Sequence, residues 1–263
     1  MNKQAQIELQ KMGLSSGDHG SVSMSGAARE LFEHWITFLS SLLRPYYEDS
    51  ILASSSISKG VLKRSKYLEH FPHQLFDAGK DNFLTPAACL HFYQSLVDKS
   101  LYHDVSALLL AQCSRTENQK WNFPFRLSHF HMMELVVVGH EKTVDKKRQE
   151  VQSLLLSTFH RLGLKGGFET ATDAFFLGDE EGAKIIQKMK GLKQEFRAIV
   201  GKDSIALASV NNHESYFGRC FAIKSGKEPA SSFCAAFGIE RLTAYGLLKW
   251  GADKRNWPKE LRT

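Results

Sequence analysis

The chain has 263 residues and a formal charge of +6. Hydrophobic residues at 43 % and charged residues at 24 % are ordinary globular values and suggest neither disorder nor a membrane class. No stretch reaches the roughly 20 apolar residues that span a bilayer, no apolar signal core opens the chain, and a cytosolic (cytoplasmic) protein is expected. Four widely spaced cysteines argue against a disulfide scaffold and leave buried thiols or a metal site built from distant segments. The mild positive charge attracts polyanions without choosing among nucleic acid, acidic protein and nucleotide.

Residues 1–25 are polar and end in a run rich in Ser and Gly, which reads as a flexible leader ahead of a single domain over 26–263. From Arg29 to Leu43, Leu31, Phe32, Trp35, Ile36, Phe38, Leu39, Leu42 and Leu43 recur at spacings of three and four until Pro45, predicting an amphipathic helix. Tyr67 to Phe83 reads as short irregular pieces, and Leu84-Thr85-Pro86 leads into a helix through Leu96. Residues 107–117 and 130–139 flank a polar loop, and the apolar run from Met132 to Gly139 predicts a strand. Lys142 to Leu162 returns to helical spacing and ends at Gly163. Gly166 to Phe176 is a strand or turn, Ile205–Val210 and Cys220–Ile223 are predicted strands, and the last helix spans Ile239–Trp250. Strands in antiparallel succession with helices between them, without regular βαβ alternation, indicate an α+β fold.

Arginines mark two places where planar anions can be gripped, because guanidinium offers a fixed fork of donors. One is Cys113-Ser114-Arg115-Thr116-Glu117, followed by the polar loop and Phe125-Arg126-Leu127-Ser128-His129-Phe130; the other is Phe237-Gly238-Ile239-Glu240-Arg241. Taken singly, an Arg-x-Glu is an ordinary surface pair and a glycine before a helix an ordinary turn.

In this order the segments resemble the signature motifs of class II aminoacyl-tRNA synthetases. Cys113 to Gly139 resembles motif 2, Cys234 to Leu248 resembles motif 3, and the Arg29–Leu43 helix with Pro45 resembles the motif 1 element of the dimer interface. Within that class the chain is most similar to amino acid:[carrier protein] ligases, relatives of the atypical zinc-dependent seryl-tRNA synthetases. The resemblance implies a class II catalytic core, mainly antiparallel sheet flanked by helices, that uses ATP, Mg2+ and Zn2+. It assigns zinc to Cys113, Glu169 and Cys234 and likens Leu84-Thr85-Pro86-Ala87-Ala88-Cys89 to a substrate loop. Arg115 is expected on the α-phosphate and amino-acid carboxylate, Arg241 on the γ-phosphate, Glu117 on the nucleotide or its magnesium, and Phe130 on adenine. Arg126, Ser209 and Asn212 are further nucleotide-site candidates.

Two positions depart from the family pattern. An Asp-Pro-Phe-Phe reads Asp173-Ala174-Phe175-Phe176, and Ala206 stands where an acidic magnesium ligand is expected. The implied activity is ATP-dependent activation of a small amino acid, glycine or alanine first, as its adenylate, and transfer to the phosphopantetheine thiol of an acyl or peptidyl carrier protein by a homodimer. Nothing resembles a tRNA-binding module, so tRNA is not the expected acceptor. A catalytically altered paralogue acting as a binding module and a minimal tRNA-charging enzyme stay open as alternatives.

Overall fold

A computed structural model describes residues 3–116, 121–171, 191–201 and 203–262. The chain begins with helix α1 (Lys3–Lys11) and a hairpin of β1 (Leu14–Ser16) and β2 (Val22–Met24), then the long helix α2 (Gly26–Leu43). After β3 (Asp49–Leu52) come β4 (Ser56–Ser58), α3 (Lys59–Arg64), α4 (Tyr67–His70), β5 (Asp77–Gly79), β6 (Asn82–Leu84), α5 (Cys89–Ser95) and β7 (Ser100–Leu101). The long strands β8 (Val105–Ser114) and β9 (His129–Gly139) precede helix α6 (Glu141–Arg161), β10 (Gly166–Thr170), β11 (Lys193–Val200) and β12 (Asp203–Glu214). A short helix α7 (Tyr216–Cys220), strands β13 (Lys224–Ser225), β14 (Glu228–Pro229) and β15 (Ser231–Gly238), and helix α8 (Ile239–Trp250) follow.

Seven strands form the central sheet in the order β10-β11-β12-β15-β9-β8-β3. Every pair is antiparallel except β3 with β8. Helices cover both faces of its middle, which explains the unbroken apolar run along β9: a strand buried on two sides loses polar alternation. One face carries Leu135, Val137, Phe233, Ala235 and Phe237 against Trp35 and Leu39 of α2, Leu155 and Phe159 of α6, and Leu242 of α8. The other carries Leu109, Ala111, Val136 and Val138 against Leu62, Tyr93, Phe217 and Phe221. Position parity in each strand therefore decides which layer a side chain joins.

Two segments, residues 3–24 and 220–223, correct the sequence reading. Residues 3–24 form helix and hairpin, and Leu9 and Leu14 are fully buried in the main core, so two apolar side chains dock a polar segment that composition reads as a leader. The apolar stripe of α2 packs in the chain's own core through Leu31, Trp35, Phe38, Leu39 and Leu43. Residues 220–223 are not a strand: α7 ends at Cys220 and Ala222 is left-handed, at φ 52°, where a β ladder cannot run. The helices expected over 142–162 and 239–250 are present within a residue. No helix among the described residues is long and apolar enough to cross a membrane.

Candidate active site

Strands β8 and β9 pair in continuous register to Cys113↔Phe130 and Ser114↔His129, where they part. The parting end is tied down by Ser114 N–H donating to Thr85 O at 2.8 Å and Arg115 N–H to Ser128 O at 2.8 Å. Arg115 Nε donates to Pro86 O at 2.7 Å, and its guanidinium lies 5.6 Å from the Phe130 ring centre. Across the sheet, Arg241 leaves the first turn of α8 and donates from Nη1 to Ala206 O at 3.2 Å. Arg115, Arg241, Phe130, Ser209, Glu195 and Glu240 line one cavity of about 140 Å³. Two guanidiniums and an aromatic face around one cavity can bind a phosphorylated, π-stacking ligand.

The carboxylates in this cavity are held by neighbours. Glu195 accepts from Lys193 Nζ at 2.9 Å and Arg197 Nη1 at 3.1 Å. Burial alone would raise its carboxyl, but Lys193 first, then Arg197 and Arg241, hold it below the ordinary carboxylate range. Glu240, 2 % exposed, accepts from His131 N–H at 2.8 Å and lies 2.7 Å from the same residue's Nδ1.

Not every expected residue reaches this cavity. Arg126 is in the turn that pairs with Asn122 and is not among the cavity's lining. Asn212 stands opposite Phe233, on the sheet face turned away, and its Oδ1 accepts from Glu214 N–H at 3.0 Å. Asn211, one residue earlier, shares the site face with Cys234 and donates from Nδ2 to Ser209 Oγ at 3.0 Å. Glu117 and the segment from Thr172 to Phe176 lie outside the described residues.

The expected set of Cys113, Glu169 and Cys234 does not come together. Cys113 is opposite Phe130 and Cys234 opposite Val136, six positions apart along β9, or roughly 20 Å at ~3.4 Å per residue. Glu169 is exposed on the edge strand β10, three strands from Cys234, or roughly 14 Å at ~4.8 Å per strand. The resemblance assigns the two cysteines by their places just before the motifs, which carries no information on strand register.

A different group converges. Glu134, opposite Ala236, is the diagonal same-face neighbour of Cys234 on the adjacent strand. The backbone N–H of Cys89, at the start of α5, donates to Glu134 Oε2 at 2.9 Å, and the Cys89 thiol also bonds to this carboxylate. All three are buried. Burial raises the Glu134 carboxyl, opposed by the bonds from Cys89 and by Arg115, and raises both thiols, with Glu134 adding to the push. Among the described residues, no three His, Cys, Asp or Glu side chains stand close enough to grip a metal ion as they are.

Sequence reasoning missed Glu134, Glu195 and Cys89's part in the site. Glu134 had a signal: an acid within an apolar, β-branched run is buried, and buried acids cluster at functional sites. Glu195 sits in a strand that the sequence reading left unassigned.

The sequence matches no established family profile. It is 27 % identical over 276 residues to amino acid–[acyl-carrier-protein] ligase 1 of Bradyrhizobium diazoefficiens, covering 90 % of this chain and 83 % of that protein. It is 28 % identical over 239 residues to ligase 2 of the same organism, covering 78 % and 71 %. Among solved structures, M. kandleri seryl-tRNA synthetase, in complex with an A. aeolicus tRNA, superposes with a TM-score of 0.84 at 17 % identity, over 98 % of this chain and 59 % of that one. The cytoplasmic serine–tRNA ligase of Naegleria fowleri gives 0.78 at 15 % identity, over 94 % and 62 %. The chain thus spans about three fifths of these synthetases, and at such identities the likeness concerns fold. The chain has the class II synthetase catalytic core as its fold and is similar in sequence to amino acid–[acyl-carrier-protein] ligases.

Proposed function

We propose that the chain activates a small amino acid with ATP as the aminoacyl-adenylate and passes it to the phosphopantetheine thiol of a carrier protein. The observation that carries this reading is the convergence of Arg115 and Arg241 on one cavity, with Phe130 beside them and buried Cys89, Glu134 and Cys234 on the same face of the sheet. In the reaction the amino-acid carboxylate attacks the α-phosphorus of ATP, the bond to pyrophosphate breaks, and pyrophosphate leaves with its electron pair. Arg115, oriented by Pro86, meets the charge that grows on the α-phosphate, and Arg241 holds the γ-phosphate end of the leaving group. Phe130 offers its face to adenine. Magnesium would enter on the phosphates with several of its own waters, with Glu117 and Ser209 as expected contacts.

The donor chemistry of buried Cys89, Glu134 and Cys234 suits zinc, in place of the trio expected from the sequence, provided the three side chains close on the ion when it binds. Two thiols and a carboxylate leave one of four positions open, which is the chemistry an amine ligand needs. A zinc ion held there would supply a Lewis acid, and only a deprotonated α-amine could coordinate it. The chain's own part would be to present Glu134 and Cys234 on one sheet face, with Cys89 on α5 beside them, so that the carboxylate end of the amino acid points toward Arg115.

The curated relatives are named for carrier-protein acylation, and an excess of positive charge favours encounter with an acidic carrier. The test is transfer: radiolabelled glycine or alanine with ATP should appear on phosphopantetheinylated carrier protein and not on the apo carrier. Label on tRNA alone would sink this reading.

A further inference from the structure

Behind Cys234 the sheet carries polar side chains that the adenylation chemistry does not use. Asn211 stands directly opposite Cys234 in the β12–β15 register, His213 follows two residues along β12, and Ser232 precedes Cys234 by two residues on β15. Tyr93 meets them from α5. All four are nearly or fully excluded from solvent, beside Val136, Val138, Phe217 and Phe221. Polar groups buried in such surroundings are costly unless they are hydrogen-bonded to a purpose.

The Tyr93 hydroxyl donates to Ser232 Oγ at 3.0 Å, and Tyr93 and Ser232 lie 3.0 and 3.3 Å from His213 Nδ1. With the Tyr93 proton given to Ser232, the Ser232 hydroxyl has its own proton for Nδ1 when Nδ1 is the acceptor. A neutral imidazole then carries its single proton on Nε2, and Nε2 is 3.7 Å from Cys234 Sγ. Asn211 Nδ2 brings a second N–H to the same sulfur at 3.2 Å, while its own Oδ1, buried, has no partner among the described residues. An amide can serve a thiol in either orientation, since S–H both donates and accepts. It can serve a thiolate in only one, with the N–H toward sulfur, and that is the orientation here.

We propose that Asn211 and His213 are positioning residues for a metal-bound Cys234: their N–H groups hold its sulfur at one point on the sheet and set how strongly it donates to zinc. Tyr93 and Ser232 fix the tautomer of His213. The inference rests on the zinc reading above and adds to it the groups that tune one ligand. A site of two thiolates and one carboxylate carries more negative charge than a zinc ion offsets, and N–H dipoles aimed at one sulfur reduce that excess. Residues in this role typically change metal affinity by about 10–100-fold when removed.

The experiment measures zinc affinity by competition with a chromophoric chelator, and the sulfur-to-metal charge-transfer band of the cobalt-substituted protein, in folded wild type and variants. Asn211→Ala and His213→Phe should each weaken zinc binding by about 10–100-fold and move the band to lower energy, because a sulfur without its N–H partner is a stronger electron donor. His213→Gln, whose amide N–H can take the place of Nε2, should recover most of both. Where the larger replacements fail to fold, Tyr93→Phe decides, since it removes only a hydroxyl: a weaker site and a shifted band support the proposal. Affinity and band unchanged in the folded variants overturn it. A wild-type protein that binds no zinc overturns the zinc reading first and this inference with it, so the two failures are told apart.

Discussion

The backbone N–H of Cys89 donates to the Glu134 carboxylate at 2.9 Å across 45 residues of sequence, joining the first turn of α5 to the middle of strand β9. That bond fixes one thiol beside the only acid in an otherwise apolar run of strand, and register brings Cys234 to the diagonal position. Metal content therefore separates the two sets of candidate ligands. Cys89→Ala and Glu134→Gln should lose stoichiometric zinc, whereas Cys113→Ala should keep it. Atomic absorption on the three purified variants is the check, and zinc lost from Cys113→Ala alone would restore the sequence-based set.

Arg115 is held by its Nε bond to Pro86, which aims the guanidinium across the cavity. Lysine keeps the charge but has no planar fork. Arg115→Lys is expected to lower kcat for adenylate formation by about 10²–10³-fold, the loss typical of a transition-state charge contact, with a smaller change in KM for ATP. Equal kcat in the two proteins would remove Arg115 from the chemical step.

Glu195 gives the fold a defined acid sensitivity. Its carboxyl is held below its ordinary range in the folded chain, so the stability it contributes is present above the unfolded-state pKa and is lost as pH falls through the folded value. Glu195→Gln should remove that part of the acid limb. At neutral pH it should cost about 2 kcal/mol, between the values for exposed and fully buried pairs, because Arg197 is one-third exposed. Urea midpoints from pH 7 down to pH 3 test both statements, and parallel profiles for the two proteins would contradict the assignment.

The first helix and hairpin contribute to the core. Leu9→Ala and Leu14→Ala, each at a fully buried site, are expected to destabilise by about 2–4 kcal/mol. Denaturant titration is the check, and unchanged midpoints would return residues 3–24 to the status of a leader.

Much of this architecture is legible in the sequence. Helices α2, α6 and α8 are long enough for their periodicity to identify them, and β9 declares itself through β-branched residues. Arg115, Phe130 and Arg241 are found because strand end and helix start hold them at fixed places in their motifs. What failed depends on register. Asn211 and Asn212 are indistinguishable by composition, yet pleat parity sends one toward Cys234 and the other to the opposite face. Cys113 and Cys234 read as a pair because each precedes a motif, but β9 lies between their strands and holds them six positions apart. The N-terminal segment was misread because two leucines in a polar stretch give too little pattern to outweigh composition.

The most direct test of the whole account is amino-acid-dependent ATP–pyrophosphate exchange by the zinc-loaded protein across the twenty standard amino acids. Exchange is expected with one small amino acid, glycine or alanine first, and is abolished by Arg115→Ala and by removal of zinc. No exchange with any of the twenty from folded, zinc-loaded protein would contradict it, and would favour a synthetase fold kept for binding, as Ala206 in place of an acidic magnesium ligand would then suggest.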